Sequence, residues 1–568
     1  MKKLLSILLL LSLQTNANNF DTLCTQAEKS RERNDFHEAI KLYEQVLKLK
    51  PQDIQSNFFL GYSYQTIGNL EKAVEQYKTT LTLVPENPSV QTNLAHALRH
   101  LGRPEEAVEC YESALAQKET NASLHYGFGE TLLKLGDFDR GWHEFEWRLQ
   151  RDESWKSLEP KMWNGSDLTG KRVAIRGEYG LGDTLQFVRF ARHLKESGAY
   201  IIAHVQGALL KLLSMCPYID EVAPLNKSIE YDFHIPVMSL AYKLGVTDEE
   251  QFAQDIPYLS ADKAIVDYWK SELERDGNFK IGLCWEGSTY YDSLRPVQSK
   301  KAMHLSEFAP LAELPNVTLY SLQKSNASKH VDEVSFEVRT IDGLDEEHGR
   351  FMDTAALIEN FDCIVTVDTS VAHLAGAMGK TVFMILPTIA DWRWMLERND
   401  SPWYPTMKLF RQTEYGNWKN VMHAIADDLE KMIAQKTKKA DTVLAEISVG
   451  ELIDKITILQ LKSKHITDEK KLKNVCKELE ILQTTRNRHV PQSEEIDCLA
   501  QELYNVNAQL WNIEDDCRDK ERDKEFDDEF VQVTRSVYMT NDKRCALKRK
   551  LNLLCGSNLI EEKSYAAY

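Results

Sequence analysis

The chain has 568 residues, 43% of them apolar and 27% charged, and a formal net charge of −18. That length and apolar content imply about two to four domains with sizeable cores, and the acidic balance gives no footprint for nucleic acid or an anionic membrane surface. The ten cysteines form no Cys-x-x-Cys pair or Cys/His cluster, which argues against a zinc site and a disulfide scaffold; Cys284 and Cys363, inside apolar runs, read as reduced core residues.

Residues 1–19 open with Lys2-Lys3 and the apolar stretch Leu4 to Leu13, followed by Ala17. The pattern suits either a secretory signal or an apolar extension packed on the adjoining domain; Thr15-Asn16-Ala17 is a poor match to a small-x-small cleavage site. The expected location is cytoplasmic, or secretory or periplasmic if the leader works. No later run has the length and apolarity of a transmembrane helix.

Residues 20–155 repeat with a period of 34. Ala27, Gly61, Ala95 and Gly129 share one small-residue position, and Ala39, Ala73, Ala107 and Gly141 share another. Tyr43, Tyr77, Tyr111 and Phe145 form an aromatic row, Asn34, Gly68, Gly102 and Gly136 fall at a turn, and Pro51 and Pro85 close two repeats. Small residues where paired helices touch, at this period, predict four tetratricopeptide repeats in an all-α solenoid. Such an array offers a surface to a protein partner or serves as a rigid spacer. The fourth repeat carries Trp142, Phe145 and Trp147 and runs into Trp155 and Trp163 without a flexible linker, so the array is expected to dock on the next domain.

Residues 156–260 read as an α/β domain. Lys171 to Arg176 is a short strand, Gly177 to Gly182 a glycine-rich turn, and Asp183-Thr184-Leu185-Gln186-Phe187-Val188-Arg189-Phe190 the start of an amphipathic helix. Gly180 and Gly182 let the backbone approach a ligand, and Asp183 lies at the carboxyl edge of a sheet, where open α/β folds bind ligands. The plainer reading of Asp183 is a helix cap. The full dinucleotide-binding fingerprint is missing.

A helical bridge over Ala261 to Glu274 leads into a second α/β domain, residues 261–436, with strands at Phe279 to Trp285, Val317 to Leu322, Cys363 to Val367 and Thr381 to Leu386. Alternation of strands with helices implies parallel sheets. Asp368-Thr369-Ser370-Val371-Ala372-His373 turns the third of these strands into a helix. First-turn amides lack intrahelical partners and sit at the positive end of the helix dipole, so this junction suits a phosphate. An aspartate cap with a core histidine is the plainer alternative.

Residues 441–568 are charged and helical. Ile496, Leu499, Leu503, Val506, Leu510 and Ile513 recur at spacings of three and four, a helix-packing seam. Glu514 to Glu529 is acidic but interrupted by Arg518, Lys520, Arg522 and Lys524, which predicts a solvated helix face rather than a metal site.

Three blocks resemble the heptosyltransferase-like glycosyltransferases, the bacterial ADP-heptose:lipopolysaccharide heptosyltransferase family: Gly180-Leu181-Gly182-Asp183 with Gln186 to Phe190, Ile281-Gly282-Leu283-Cys284-Trp285-Glu286-Gly287, and Asp368 to Gly376. Asp391-Trp392-Arg393-Trp394, Ser401-Pro402-Trp403-Tyr404-Pro405 and Leu409-Phe410-Arg411-Gln412 resemble a subgroup that also carries tetratricopeptide repeats. The resemblance covers roughly residues 155–435 and implies a GT-B fold, two Rossmann-like domains across a cleft. Glu446 to Lys455 and Glu561 to Tyr565 resemble an uncharacterised bacterial domain family that supplies no mechanism.

The resemblance implies transfer of a sugar from a nucleotide-sugar donor to a protein or glycan acceptor recruited through the repeats, with no cofactor and no metal. Asp183 matches the family's proposed base. Asp368, Thr369, Ser370 and His373 match its donor-diphosphate site, with Gly180 and Gly182 alongside. The family's basic loop is represented here by Asp292 to Lys301, where Arg295 and Lys300 are the candidate cations; this departure puts activity and donor identity in question. Two alternatives stay open: a non-catalytic repeat scaffold with a degenerate transferase region, and a protein glycosyltransferase of the O-GlcNAc-transferase kind.

Overall fold

The computed structural model describes residues 19–117, 121–273, 277–287, 301–438 and 446–559. The described residues up to 438 form one compact unit and those from 446 onward a second. The leader-like segment before residue 19 lies outside the described residues, as do Arg295 and Lys300. Among the described residues no helix is long and apolar enough to cross a membrane.

The repeats form eight helices: α1 (19–32), α2 (Phe36–Leu49), α3 (Ile54–Thr66), α4 (Leu70–Leu83), α5 (Pro88–His100), α6 (Pro104–Ala116), α7 (Ala122–Leu135) and α8 (Phe138–Phe145). Asp35, Asp53, Asn69, Asn87, Asn121 and Asp137 cap helix starts by accepting first-turn amides, which satisfies donors that a helix leaves without partners. The turn row is left-handed throughout, with φ of 60° at Asn34, 82° at Gly68, 74° at Gly102 and 84° at Gly136. The small-residue row is sterically required: a Cβ on Gly129 would lie 2.6 Å from the Phe145 amide nitrogen. The aromatic row Tyr43, Tyr77, Tyr111 and Phe145 is buried in the grooves between helix pairs.

The first sheet contains β1 (Arg172–Arg176), β2 (Tyr200–Val205), β3 (Glu221–Pro224) and β4 (Phe233–Pro236), all parallel in the order β3-β2-β1-β4. Helix α9 (Leu181–Phe187) follows β1 through the glycine turn. Helix α10 (Lys263–Leu273) leads to the second sheet. That sheet contains β5 (Phe279–Cys284), β6 (Val317–Ser321), β7 (Cys363–Val367), β8 (Val382–Leu386) and β9 (Met407–Arg411), parallel in the order β6-β5-β7-β8-β9. Helices α11 (Met352–Asn360) and α12 (Ser370–Ala377) flank β7, and α13 (Lys419–Lys438) closes the unit. Strand order reverses beside β1 and again beside β5, the positions at which open parallel sheets leave a crevice at their carboxyl ends.

The docking of the array is visible in single contacts. Trp142, 2% exposed, donates its indole N–H to the Val246 carbonyl at 2.8 Å and packs edge-on against Trp392 and Phe187. Arg148, 1% exposed, binds both oxygens of Glu178 at 3.0 and 2.8 Å and also Glu146 and Ser239. Lys134 donates to the Ala390 carbonyl at 3.0 Å. Burial pushes the Lys134 ammonium down to about 8.

The second unit is a helical bundle of α14 (Val449–His465), α15 (Glu469–His489), α16 (Glu494–Asp523) and α17 (Asp528–Leu554). The predicted seam lies on α16, with Ile496, Leu503 and Leu510 buried and Leu499 and Val506 packed beside them. Gly450 lies close against the Lys548 carbonyl and its N–H donates to Asn552. Asp454 is buried and pairs with Arg544. The acidic stretch is an exposed face whose charges pair locally, as in Arg518 with Glu514 at 2.9 Å and Lys520 with Glu529 at 2.8 Å.

Candidate functional site

One cavity of about 910 Å³ opens where the two sheets and the fourth repeat meet. Gly180, Gly182, Asp183, Asp368, Thr369, Ser370 and His373 all line it, so residues picked from two distant segments share one space. The repeats contribute Tyr126, Glu130, Phe145 and Arg151 to the same lining.

Asp183 sits in the first turn of α9, half-buried. Its Oδ2 accepts the Gly180 N–H at 2.8 Å, and its Oδ1 accepts from Arg393 Nη2 at 2.6 Å. The capping reading therefore describes one of its oxygens. Arg393 is held in turn by Asp391 at 2.8 Å and by the Gln186 side-chain carbonyl at 2.7 Å. The Asp391 and Asp183 charges more than offset the burial of this guanidinium and push its pKa up.

Asp368 follows β7 and is 8% exposed. Its Oδ2 accepts from Lys301 Nζ, and its Oδ1 lies 3.7 Å from His373 Nε2. Burial works against the charged form, but Lys301 and His373 overcome it and hold the carboxyl well below the usual range. His373 is fixed from behind, with Nδ1 2.9 Å from the Tyr404 hydroxyl and its ring stacked on Trp394. It is both a core histidine and a neighbour of the cavity's acid.

Helix α12 begins at Ser370 and no side chain caps it. Thr369 is instead occupied inward, 3.2 Å from the Thr366 hydroxyl, and Ser370 is half-buried at the cavity wall. Uncapped first-turn amides at the positive end of the dipole suit an anionic group. Gly182 makes the junction possible, because a Cβ there would lie 2.7 Å from His373 Cδ2.

Sequence reasoning does not single out Lys301, Arg393 or Gln323. Lys301 is the next residue after the candidate Lys300, and Arg393 stands inside the Asp-Trp-Arg-Trp block, but their partners lie 67 and 210 residues away. Gln323 clamps the end of β5: its carbonyl accepts the Trp285 and Glu286 N–H groups at 3.0 Å each, and its amide donates to the Glu286 carbonyl at 2.9 Å. The motif blocks also contain adhesive residues. Arg189 is buried and donates to the Trp403 carbonyl and the Tyr258 hydroxyl at 2.9 Å each, joining the two α/β halves.

Away from the cavity, His304, His330 and Glu333 bring their ligand atoms within 4.8 Å of one another. The Trp285 indole donates to His330 Nδ1 at 3.2 Å and the Ser306 amide donates to His304 Nδ1 at 3.2 Å. Neutral rings then carry their protons on Nε2, and His304 Nε2 lies 3.0 Å from Glu333. In this arrangement the cluster is held by hydrogen bonds to Trp285 and Ser306 and by the His304–Glu333 contact.

Residues 25–88 match the tetratricopeptide repeat family and residues 95–136 a second TPR repeat family. Residues 443–568 match a family of unknown function (DUF6165). The chain is 26% identical over 324 residues to Protein FlbA of Caulobacter vibrioides, covering 52% of this chain and 52% of that protein. It thus spans about half the length of the curated relative it matches. Similar solved structures include a MamA protein at 23% identity, covering 25% of this chain and 75% of that one with a TM-score of 0.23. Another is the Sgt2 TPR domain from Aspergillus fumigatus at 22% identity, covering 20% and 76% with a TM-score of 0.19.

Proposed function

We propose that the chain is a tetratricopeptide scaffold for protein partners whose α/β unit holds a nucleotide sugar in the cavity between its two sheets. The repeats support the docking role. The single observation that carries the ligand reading is the convergence at one cavity of the glycine turn after β1 and the uncapped start of α12 after β7. A diphosphate at α12 would meet free amides and the Ser370 hydroxyl, with Lys301 and Arg393 behind. The heptosyltransferase-like resemblance is what supports reading these two parallel sheets as a GT-B arrangement.

Replacing Thr369 and Ser370 together with Ala weakens nucleotide-sugar binding by about 1–3 kcal/mol, the range for hydrogen bonds to charged groups, through the lost Ser370 hydroxyl, and costs the fold only the inward Thr369 contact with Thr366. Calorimetric titration of both proteins with a panel of nucleotide sugars reads this. Absence of binding by the wild type at millimolar concentration removes the ligand reading and leaves a repeat scaffold.

Sugar transfer is the second reading, favoured by a carboxylate, Asp183, at the cavity wall. Both its oxygens are engaged, so service as a base requires the Arg393 contact to loosen when an acceptor hydroxyl arrives. Asp183→Asn then lowers transfer by roughly 10²–10⁴, the contribution of a positioned general base, with donor binding unchanged. Undiminished turnover by that variant eliminates Asp183 as the base.

A further inference from the structure

The lining cations fall into two groups. Lys301 is committed to Asp368, Arg393 to Asp183 and Asp391, and Lys324 donates to the Leu344 carbonyl. Arg151 and Arg350 also line the cavity, and among the described residues neither forms an ion pair. Arg350 comes from the loop before α11. Arg151 comes from the end of the fourth repeat, outside the α/β unit.

Arg151 is exposed, and its guanidinium is held at the cavity rim by an aromatic ring. Its guanidinium lies 4.5 Å from the centre of the Tyr126 ring, a cation–π shelf on α7. Tyr126 is itself fixed by a 3.0 Å hydrogen bond to Glu130, which pairs with Arg99. The short helix over Glu146–Gln150 ends at Arg151 and is bolted down by Arg148 through its two contacts with Glu178. Glu178 immediately precedes Tyr179-Gly180 of the glycine turn, so one buried ion pair sets Arg151 against the turn that carries Asp183. The Tyr126 ring limits the directions this side chain samples, which lowers the cost of ordering it on binding, and arginine suits carboxylate and phosphate oxygens.

We infer that Arg151 is a ligand-binding residue of the cavity, contributed by the repeat array, and that it takes an anionic oxygen group of the ligand. The inference rests on the nucleotide-sugar reading for the ligand's class. The repeat array is then a wall of the small-molecule site as well as a docking surface. The anionic group is either a phosphate of the diphosphate or a carboxylate on the sugar.

The test is calorimetric titration of the full chain, wild type, Arg151→Ala and Arg151→Lys, after melting curves establish that all three are folded. The probes are inorganic pyrophosphate, the diphosphates of uridine, guanosine and adenosine, and the glucose and glucuronate esters of those diphosphates. Arg151→Ala weakens binding roughly tenfold or more, as for a lost charged hydrogen bond, and Arg151→Lys recovers part of it. Loss across all probes identifies a phosphate partner; loss confined to the glucuronate esters identifies the sugar carboxylate. Unchanged affinity of Arg151→Ala for every probe the wild type binds overturns the inference and leaves the nucleotide-sugar reading standing. A wild type that binds none of the probes overturns both. Loss in Arg151→Ala without loss in the Thr369/Ser370 double variant keeps Arg151 and moves the diphosphate away from α12.

Discussion

Asp368 is a buried acid whose charge depends on Lys301 and His373. Lys301→Met leaves that charge with one weaker partner, and breaking a buried pair from one side costs about 3 kcal/mol or more. Equilibrium denaturation at pH 7 reads the loss; a change within error would mean that Asp368 is solvated. The pH dependence has a definite sign. The folded carboxyl titrates well below its unfolded value of 3.8, so its stabilisation is present above pH 4 and lost as pH falls through the folded value. Asp368→Asn lacks that acid limb. At this scale the sequence is half legible. A strand ending in Asp-Thr-Ser announces a helix start, but nothing local marks Lys301 or Arg393 as partners, because ion pairs across 67 and 210 residues are products of the assembled sheets.

The approach of α9 to α12 is the element-level condition for the site. Gly182→Ala drives a methyl into His373, which Tyr404 and Trp394 hold in place. Overpacking of this kind costs about 1–3 kcal/mol and widens the junction, so the variant loses both melting temperature and ligand affinity; retention of both would show that His373 moves freely.

Lys134 ties α7 to the loop before Asp391. The unfolded chain keeps the Lys134 proton up to its ordinary value of 10.5, whereas the folded chain releases it at about 8. Between these values the unfolded state binds more protons, so stability rises with pH there. Lys134→Met removes this term, and its stability relative to wild type falls by about 2 kcal/mol between pH 7 and 10. Denaturation series at both pH values test this; a pH-independent difference contradicts it.

Central strands β5 and β7 are readable as apolar runs, since both faces are covered. The β9 segment shows itself in the sequence as a motif and not as a strand. It lies at the sheet edge and mixes Lys408 and Arg411 with apolar residues, which hides the continuous run of a buried parallel strand.

For the first unit as a whole, the repeats pack into the α/β sheets as well as on one another. Their period is legible because each repeat packs chiefly on its neighbours. Their role as a cavity wall is not, because Tyr126, Glu130 and Arg151 acquire it only through docking. Removing residues 19–155 strips Trp142 and Phe145 from Phe187, Trp392 and Trp403. The remainder should aggregate; a soluble, ligand-binding remainder would show that the array is a separate module. The most direct test of a site shared by array and sheets is hydrogen–deuterium exchange of the full chain with and without a saturating nucleotide sugar. The account predicts ligand-dependent protection at the glycine turn 179–183, at the α12 start 369–372, and at 145–151 of the fourth repeat together. Protection confined to the two sheets, with the repeat segment unchanged, would contradict it.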